Sequence, residues 1–372
     1  MIKNLFKDYI YPVTTLTGGI VGVGFLSLPY ISSRVGIFAM LFYFITLVPI
    51  VLFLHLIFGQ ICLKTPDFKR WPGFVGFYLG NTAKKIILVL DILGLLGILL
   101  VYLLIGSQFL WAIASPFLGG EVFYYTLIYF MLGSIFIYFG IKAISRFNFF
   151  AITFLMVVIC LIFIKGFPQI HLDNIFFTTA MGDWKTMFLP YGAIIFALWG
   201  TGFIPEVEEM VSDNKKSLKK IITTSILLVA LFYLLFIFLI LGISGSKTTD
   251  SALTGLAHFG LMYPVALSMG LVSTFIAFIA MGLLLKKIFM YDMGLKEFPA
   301  WLLTCFVPLV LFLLGLNSFI PLISFVGGVF LGIDGILILL IYQKIGGKKM
   351  ITYPLMSVFI LGIIYSIVYF AN

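Results

Sequence analysis

The chain is a succession of apolar runs, each about 20 residues or longer, which is enough to cross a hydrocarbon core at ~1.5 Å of helical rise per residue. Inside lipid every backbone N–H and C=O must be bonded within the protein, so only helices and closed barrels can span it. The runs are continuous rather than alternating in polarity, which selects helices. Eliminating charges and turn clusters leaves eleven of them, over 10–32, 35–61, 86–113, 123–140, 148–164, 188–211, 221–243, 263–285, 299–316, 319–342 and 353–370. The expected fold class is therefore all-α, a polytopic membrane protein with 11 transmembrane helices. With 62% of residues hydrophobic and 10% charged, a soluble domain of this size is excluded.

Lys and Arg set the orientation. Placing the N-terminus in the cytoplasm puts 19 of the 23 cationic residues there, from Lys3 and Lys7 through Lys142 and Arg146 to Lys344–Lys349, and leaves Arg34, Lys165, Lys185 and Lys247 outside. That asymmetry predicts N-terminus in and C-terminus out, in the plasma membrane. The net charge of +9 then belongs to span anchoring in the lipid bilayer rather than to nucleic acid, and no obligate protein partner is expected. Cys62, Cys160 and Cys305 show neither metal spacing nor a paired framework and read as apolar fillers.

Two of the runs are interrupted. TLTGGIVGVGFLSLPY, 15–30, carries Gly18, Gly19, Gly22 and Gly24 and then Pro29, each of which weakens a helix. AIIFALWGTGFIPEVEEMV, 193–211, carries Gly200, Thr201 and Gly202 and then Pro205. Gly18 and Gly22 also make a G-x-x-x-G pair that suits close helix packing, an alternative that stands for the first run alone. The second interruption decides between them, because the two broken spans are the first and the sixth. Each opens a block of five spans, an odd number, so the second block lies inverted against the first. Matched breaks in inverted halves point to the central site of a transporter. An unwound turn exposes backbone N–H and C=O groups at a cost in hydrocarbon unless a polar ligand uses them. Half-helix N-termini suit a carboxylate, and half-helix C-termini suit a cation.

GGIVGVGFLSLPY resembles the first-span signature of amino acid permeases of the auxin and aromatic amino acid type, within the amino acid, polyamine and organocation transporter superfamily, and WGTGFIPEVEEM is similar to their sixth span. The resemblance implies a leucine-transporter-like fold in one domain, 1–372, with repeats over 10–164 and 188–342 and an extra helix over 353–370. It implies a secondary active transporter that imports an amino acid, large and neutral or aromatic, coupled to Na⁺ or H⁺. Carried over by position, with Gly22 at the break, the N–H groups of Val23, Gly24 and Phe25 would receive the substrate carboxylate. Carbonyls near Val21 and around Trp199, Gly200 and Thr201 would take the α-amino group. Trp199 and Phe203 flank the second break and would close over the side chain, although Trp199 equally suits a packed core. Tyr102 would turn its hydroxyl to the same seat or serve as a buried structural hydroxyl.

No cofactor is predicted beyond the coupling ion. Gly270, Ser273 and Thr274 stand at i, i+3 and i+4 on one helix face, and in sodium-coupled relatives a similar trio joins first-break carbonyls, here Gly18 and Val21, around Na⁺. The alternative is that these hydroxyls bond back to their own helix and bind nothing. Proton coupling would instead need a titratable group in the membrane, for which Asp91, Asp334 and His55 are the candidates. Lys84 and Lys85 offer Asp91 an ordinary ion-pair explanation, whereas Asp334 has no cation near it in sequence. Glu206, Glu208 and Glu209 are candidate inner-gate carboxylates for Lys215, Lys216, Lys69 or Arg70. An enzyme is not expected, because the outer loop 165–187 holds only scattered His171, Asp173, Asp183 and Lys185. A non-transporting amino acid sensor on the same fold is the remaining alternative.

Overall fold

A computed structural model of the chain describes residues 6–66, 69–140, 154, 157–176, 184–260 and 262–371. Lys3, Lys142, Arg146 and Asp183 lie outside the described residues, as does most of the N-terminal half of the expected fifth span. Among the described residues every regular element is helical.

The first run is not one helix. It divides into α1 (Tyr11–Ile20) and α2 (Leu28–Val35), bent by 52° across a break, with a short 3₁₀ turn over Gly24–Ser27 between them. Gly36, at φ 84, then reverses the chain into α3 (Ile37–Lys64), a conformation that a side chain at this position would oppose. A nine-residue helix, α4 (Trp71–Leu79), precedes α5 (Asn81–Leu118), which extends past both predicted ends of its run. α6 (Val122–Phe139) and the shorter α7 (Val157–Gln169) follow.

The second broken run divides into α8 (Leu189–Leu198) and α9 (Ile204–Met210). Beyond it lie α10 (Leu218–Ser244), α11 (Met262–Lys287) and α12 (Glu297–Leu313). The run expected over 319–342 is α13 (Phe319–Phe325) and α14 (Leu331–Lys344), joined by a π turn at Val326–Phe330, and α15 (Lys349–Ala371) ends the chain. Among the described residues seven helices are long and apolar enough to cross a membrane, and the bent α1–α2 pair makes an eighth. Their outer faces are apolar too: Phe38 and Ile45 of α3 are each 72% exposed, a surface suited to lipid rather than water.

α5 runs through the centre, packed on α11 along much of its length. Away from the breaks, Lys286 clamps three helix ends together. Its ammonium is buried, donates to Tyr138 O at 3.0 Å and Ile137 O at 3.3 Å at the end of α6, and meets Glu297 Oε1 of α12 at 2.8 Å. These are orphan C-terminal carbonyls, so a cation suits them. Lys286→Met is expected to lower the thermal unfolding midpoint in detergent by several degrees while leaving the Michaelis constant for uptake unchanged, measured by scanning fluorimetry and initial rates.

Candidate functional site

Both breaks arise where a helical hydrogen bond is redirected. In an unbroken helix the Gly22 N–H would bond Gly18 O; here it turns to Ile20 O at 2.8 Å, as ψ of Val21 swings to 84. Gly18 O is thereby released at the end of α1. The second break repeats this. Trp199 is extended at ψ 123, and the Gly200 N–H, which a continuous helix would give to Phe196 O, points instead at His55 of α3.

The two breaks lie directly against each other. A β-carbon on Gly24 would meet Ala197 Cα at 2.9 Å and Phe196 Cδ1 at 2.8 Å, so the 3₁₀ turn after the first break abuts the end of α8. On Gly19 it would meet the Phe203 ring at 2.5 Å, and on Gly200 it would run into Ile20. The glycines expected from sequence at a ligand seat are thus first of all the contact between two half-helices. Gly202 differs, with open space where a β-carbon would stand.

Three side chains stand at the breaks. His55 is fully buried; its Nε2 accepts the Gly200 N–H at 2.9 Å, and its Nδ1–H donates to Val51 O at 2.8 Å. That arrangement requires the neutral imidazole, its proton on Nδ1. Tyr233 of α10 sets its hydroxyl 2.9 Å from Ala197 O and 3.3 Å from Ile20 O, one group shared by the carbonyl ends of both half-helices. In unbroken helices these oxygens would take the N–H groups of Thr201 and Gly24. The Tyr102 hydroxyl lies 2.9 Å from where a Gly22 β-carbon would be, beside the first break. Tyr233 was not expected from sequence, where its only sign is a lone phenol in the run LFYLLFIFLI.

Of the other expected residues, Phe25 is fully buried and stacks on Tyr233 with centroids 5.7 Å apart, within an aromatic cluster that includes Phe236. Trp199 is half-buried and meets the His55 ring edge-on at 5.8 Å, and Thr201 is buried beside it. Gly22, Val23 and Phe25 share one narrow crevice with Gly270, Ser273 and Thr274 of α11, too tight to hold a water molecule. The structure therefore brings the expected carboxylate-binding turn and the α11 trio to one place. Thr274 donates to Gly270 O at 2.8 Å, the back-bonding alternative, which leaves its oxygen lone pairs available.

Asp334 is not in that crevice. Its Oδ1 accepts the Trp71 indole N–H of α4 at 2.8 Å. The π turn Val326–Phe330 runs antiparallel along α5, with Val326 against Gly97 and Phe330 against Gly94, so that one turn further along each chain Asp91 and Asp334 come near enough to feel each other's charge. The ordinary ion-pair explanation of Asp91 by Lys84 or Lys85 finds no such pair among the described residues, and the Lys84 stem lies against Gly76 of α4. Phe58, three residues beyond His55 on α3, stacks edge-on against Trp71 at 5.5 Å, so one face of α3 connects the carboxyl pair to the second break. Among the inner-gate carboxylates Glu208, not Glu206, points inward: it is 4% exposed and lies 3.7 Å from Lys215.

The sequence matches the family described as transmembrane amino acid transporter protein over residues 9–367. No curated protein matches the chain at a significant level. Among solved structures, the crystal structure of MhsT in complex with L-phenylalanine superposes with a TM-score of 0.63, covering 97% of this chain and 97% of that one at 12% identity. At that identity the likeness is one of fold alone, the all-helical fold that the two chains share.

Proposed function

Because the chain belongs to the transmembrane amino acid transporter protein family, we propose that it is a secondary active transporter that imports an amino acid by alternating access, with the α-carboxylate on the N–H groups of Val23, Gly24 and Phe25. The observation that carries this reading is the contact between two helix breaks whose freed carbonyls, Ile20 O and Ala197 O, meet the Tyr233 hydroxyl, a donor that the ammonium of a zwitterion can replace. Counting α8 with α9 as one span, and α7 and α12 as spans, gives the eleven-helix layout, with repeats over 10–164 and 188–342 and an added helix over 353–370. In this reading the protein lies in the plasma membrane with its N-terminus cytoplasmic, and it falls in the auxin and aromatic amino acid type.

The substrate is a large neutral or aromatic amino acid. Phe25, Trp199 and Phe203 around the breaks favour an apolar side chain, and the fold relative MhsT was crystallised with L-phenylalanine. Binding must part the walls of the narrow crevice, so closed and open states have to differ in their affinity for substrate. Two coupling sites have support. The Gly18 carbonyl released at the break and the Thr274 hydroxyl suit Na⁺, while the Asp91–Asp334 pair, without a cationic partner among the described residues that contribute to it, suits a shared proton.

Purified protein in liposomes, given labelled L-amino acids under an imposed Na⁺ or pH gradient, tests both levels. Accumulation of leucine or phenylalanine above equilibrium is the expected result. If the pH gradient alone drives it, Asp334→Asn should remove accumulation and leave exchange; if Na⁺ drives it, Thr274→Val should do so. Saturable binding with no gradient-driven accumulation would instead identify a sensor on this fold.

A further inference from the structure

An unwound turn in a membrane protein holds its shape only if something fixed accepts the N–H groups it releases. At the second break that acceptor is a side chain from another helix. His55 is wholly buried, its ring is pinned at Nδ1 by Val51 O one turn back on α3, and its remaining nitrogen meets the Gly200 N–H. Trp199 lies edge-on against the same ring at 5.8 Å, and a β-carbon on Gly200 would come within 3.6 Å of Nε2. The imidazole, Trp199 and Gly200 therefore form one rigid corner.

The first break is served differently. There the hydroxyl of Tyr102, a group on a rotatable bond, stands 2.9 Å from where a Gly22 β-carbon would be, a position that a carboxylate oxygen can take over. The leading N–H of the second break is committed to an imidazole nitrogen that cannot swing away without losing its own bond to Val51 O. What the second break keeps for a ligand is its carbonyl end, where Ala197 O accepts from the Tyr233 hydroxyl.

We infer that His55 is a positioning residue that holds the second break unwound and removes its leading N–H from the ligand, so that the carboxylate goes to the first break and the ammonium to the carbonyls. This assignment rests on the reading of the chain as an amino acid transporter. His55 touches no substrate in it and acts through Gly200. The role differs from proton carriage: an imidazole whose two nitrogens are occupied as donor and acceptor in the core is held in one tautomer. Charged groups on the neighbouring helices have partners elsewhere, Asp334 on Trp71 and Glu208 with Lys215.

Two substitutions separate positioning from bulk packing. His55→Leu fills the space without an acceptor, and His55→Gln places a carboxamide oxygen near the position of Nε2. In liposomes, His55→Leu is expected to raise the Michaelis constant for labelled leucine or phenylalanine about tenfold or more, the size of effect that one unpaired buried N–H produces. His55→Gln is expected to restore most of it. Equal losses in the two variants, or a fall in maximal rate with an unchanged Michaelis constant, would overturn the positioning role.

Hydrogen–deuterium exchange on the full chain needs no substrate and stands if the transport reading fails. The peptide that contains Gly200 should exchange slowly in the native protein, many-fold faster in His55→Leu, and slowly again in His55→Gln. Identical exchange in the native protein and His55→Leu would show that the imidazole does not hold the break. Native protein that moves no labelled amino acid under any gradient would refute the transporter reading alone.

Discussion

Replacing Gly24 by valine is expected to abolish amino acid uptake while the protein still inserts and runs as a single species in detergent. A β-carbon at this position would stand 2.9 Å from Ala197 Cα, and backbone on the facing half-helix cannot yield as a flexible side chain can. Overpacking of this kind costs about 1–3 kcal/mol, which a membrane bundle with this much buried apolar surface tolerates. The geometry of the seat does not tolerate it, because the N–H groups of Val23 and Gly24 would move away from the carbonyls of Ile20 and Ala197. Gly202→Ala is the control: open space surrounds its added methyl, so uptake should stay near the native rate. Uptake by Gly24→Val at the native rate would return this glycine to a plain packing role.

The second large effect is expected from Tyr233→Phe, and it is one of ligand response. The ring stays stacked on Phe25, but Ala197 O and Ile20 O lose the hydroxyl they share. Ile20 O keeps the Gly22 N–H, but Ala197 O is left as a buried acceptor without a donor, which costs about 1–3 kcal/mol, so the ligand-free protein should unfold several degrees lower. An α-ammonium brings three donors to the same carbonyls. Added amino acid should therefore raise the unfolding midpoint of Tyr233→Phe by more than it raises that of the native protein. An equal shift in the two proteins would place the ammonium elsewhere.

Both breaks were legible in the sequence because their cause is local. Gly22 and Gly200 interrupt runs otherwise long enough to be continuous helices, and the redirected bonds from Gly22 to Ile20 O and from Gly200 to His55 fall at those residues. The Gly270, Ser273, Thr274 trio was legible for the same reason, since helical spacing alone puts it on one face, and Thr274 also makes the back-bond that its residue type allows. What could not be read was which distant side chain meets which freed group. Nothing in LFYLLFIFLI says that Tyr233 bridges carbonyls 213 and 36 residues away. In sequence Asp91 has Lys84 and Lys85 as its nearest cations, but the π turn Val326–Phe330, running antiparallel along α5, brings Asp334 toward it. The function of Gly24 was read as a contact with ligand, and its first contact is with Ala197, because close approach of any backbone demands the same residue.

The account stands most directly on where an amino acid binds, and a structure of the protein with bound L-phenylalanine measures that. The predicted result is a ligand between the two breaks, its carboxylate within hydrogen-bonding distance of the Val23 and Gly24 N–H groups in place of the Tyr102 hydroxyl. Its ammonium should lie at Ile20 O and Ala197 O, and Gly200 should still be bonded to His55. An amino acid seated elsewhere, such as the cleft lined by Gly315, Ser318, Pro321 and Tyr369, with both breaks unchanged around their own side chains, would contradict it.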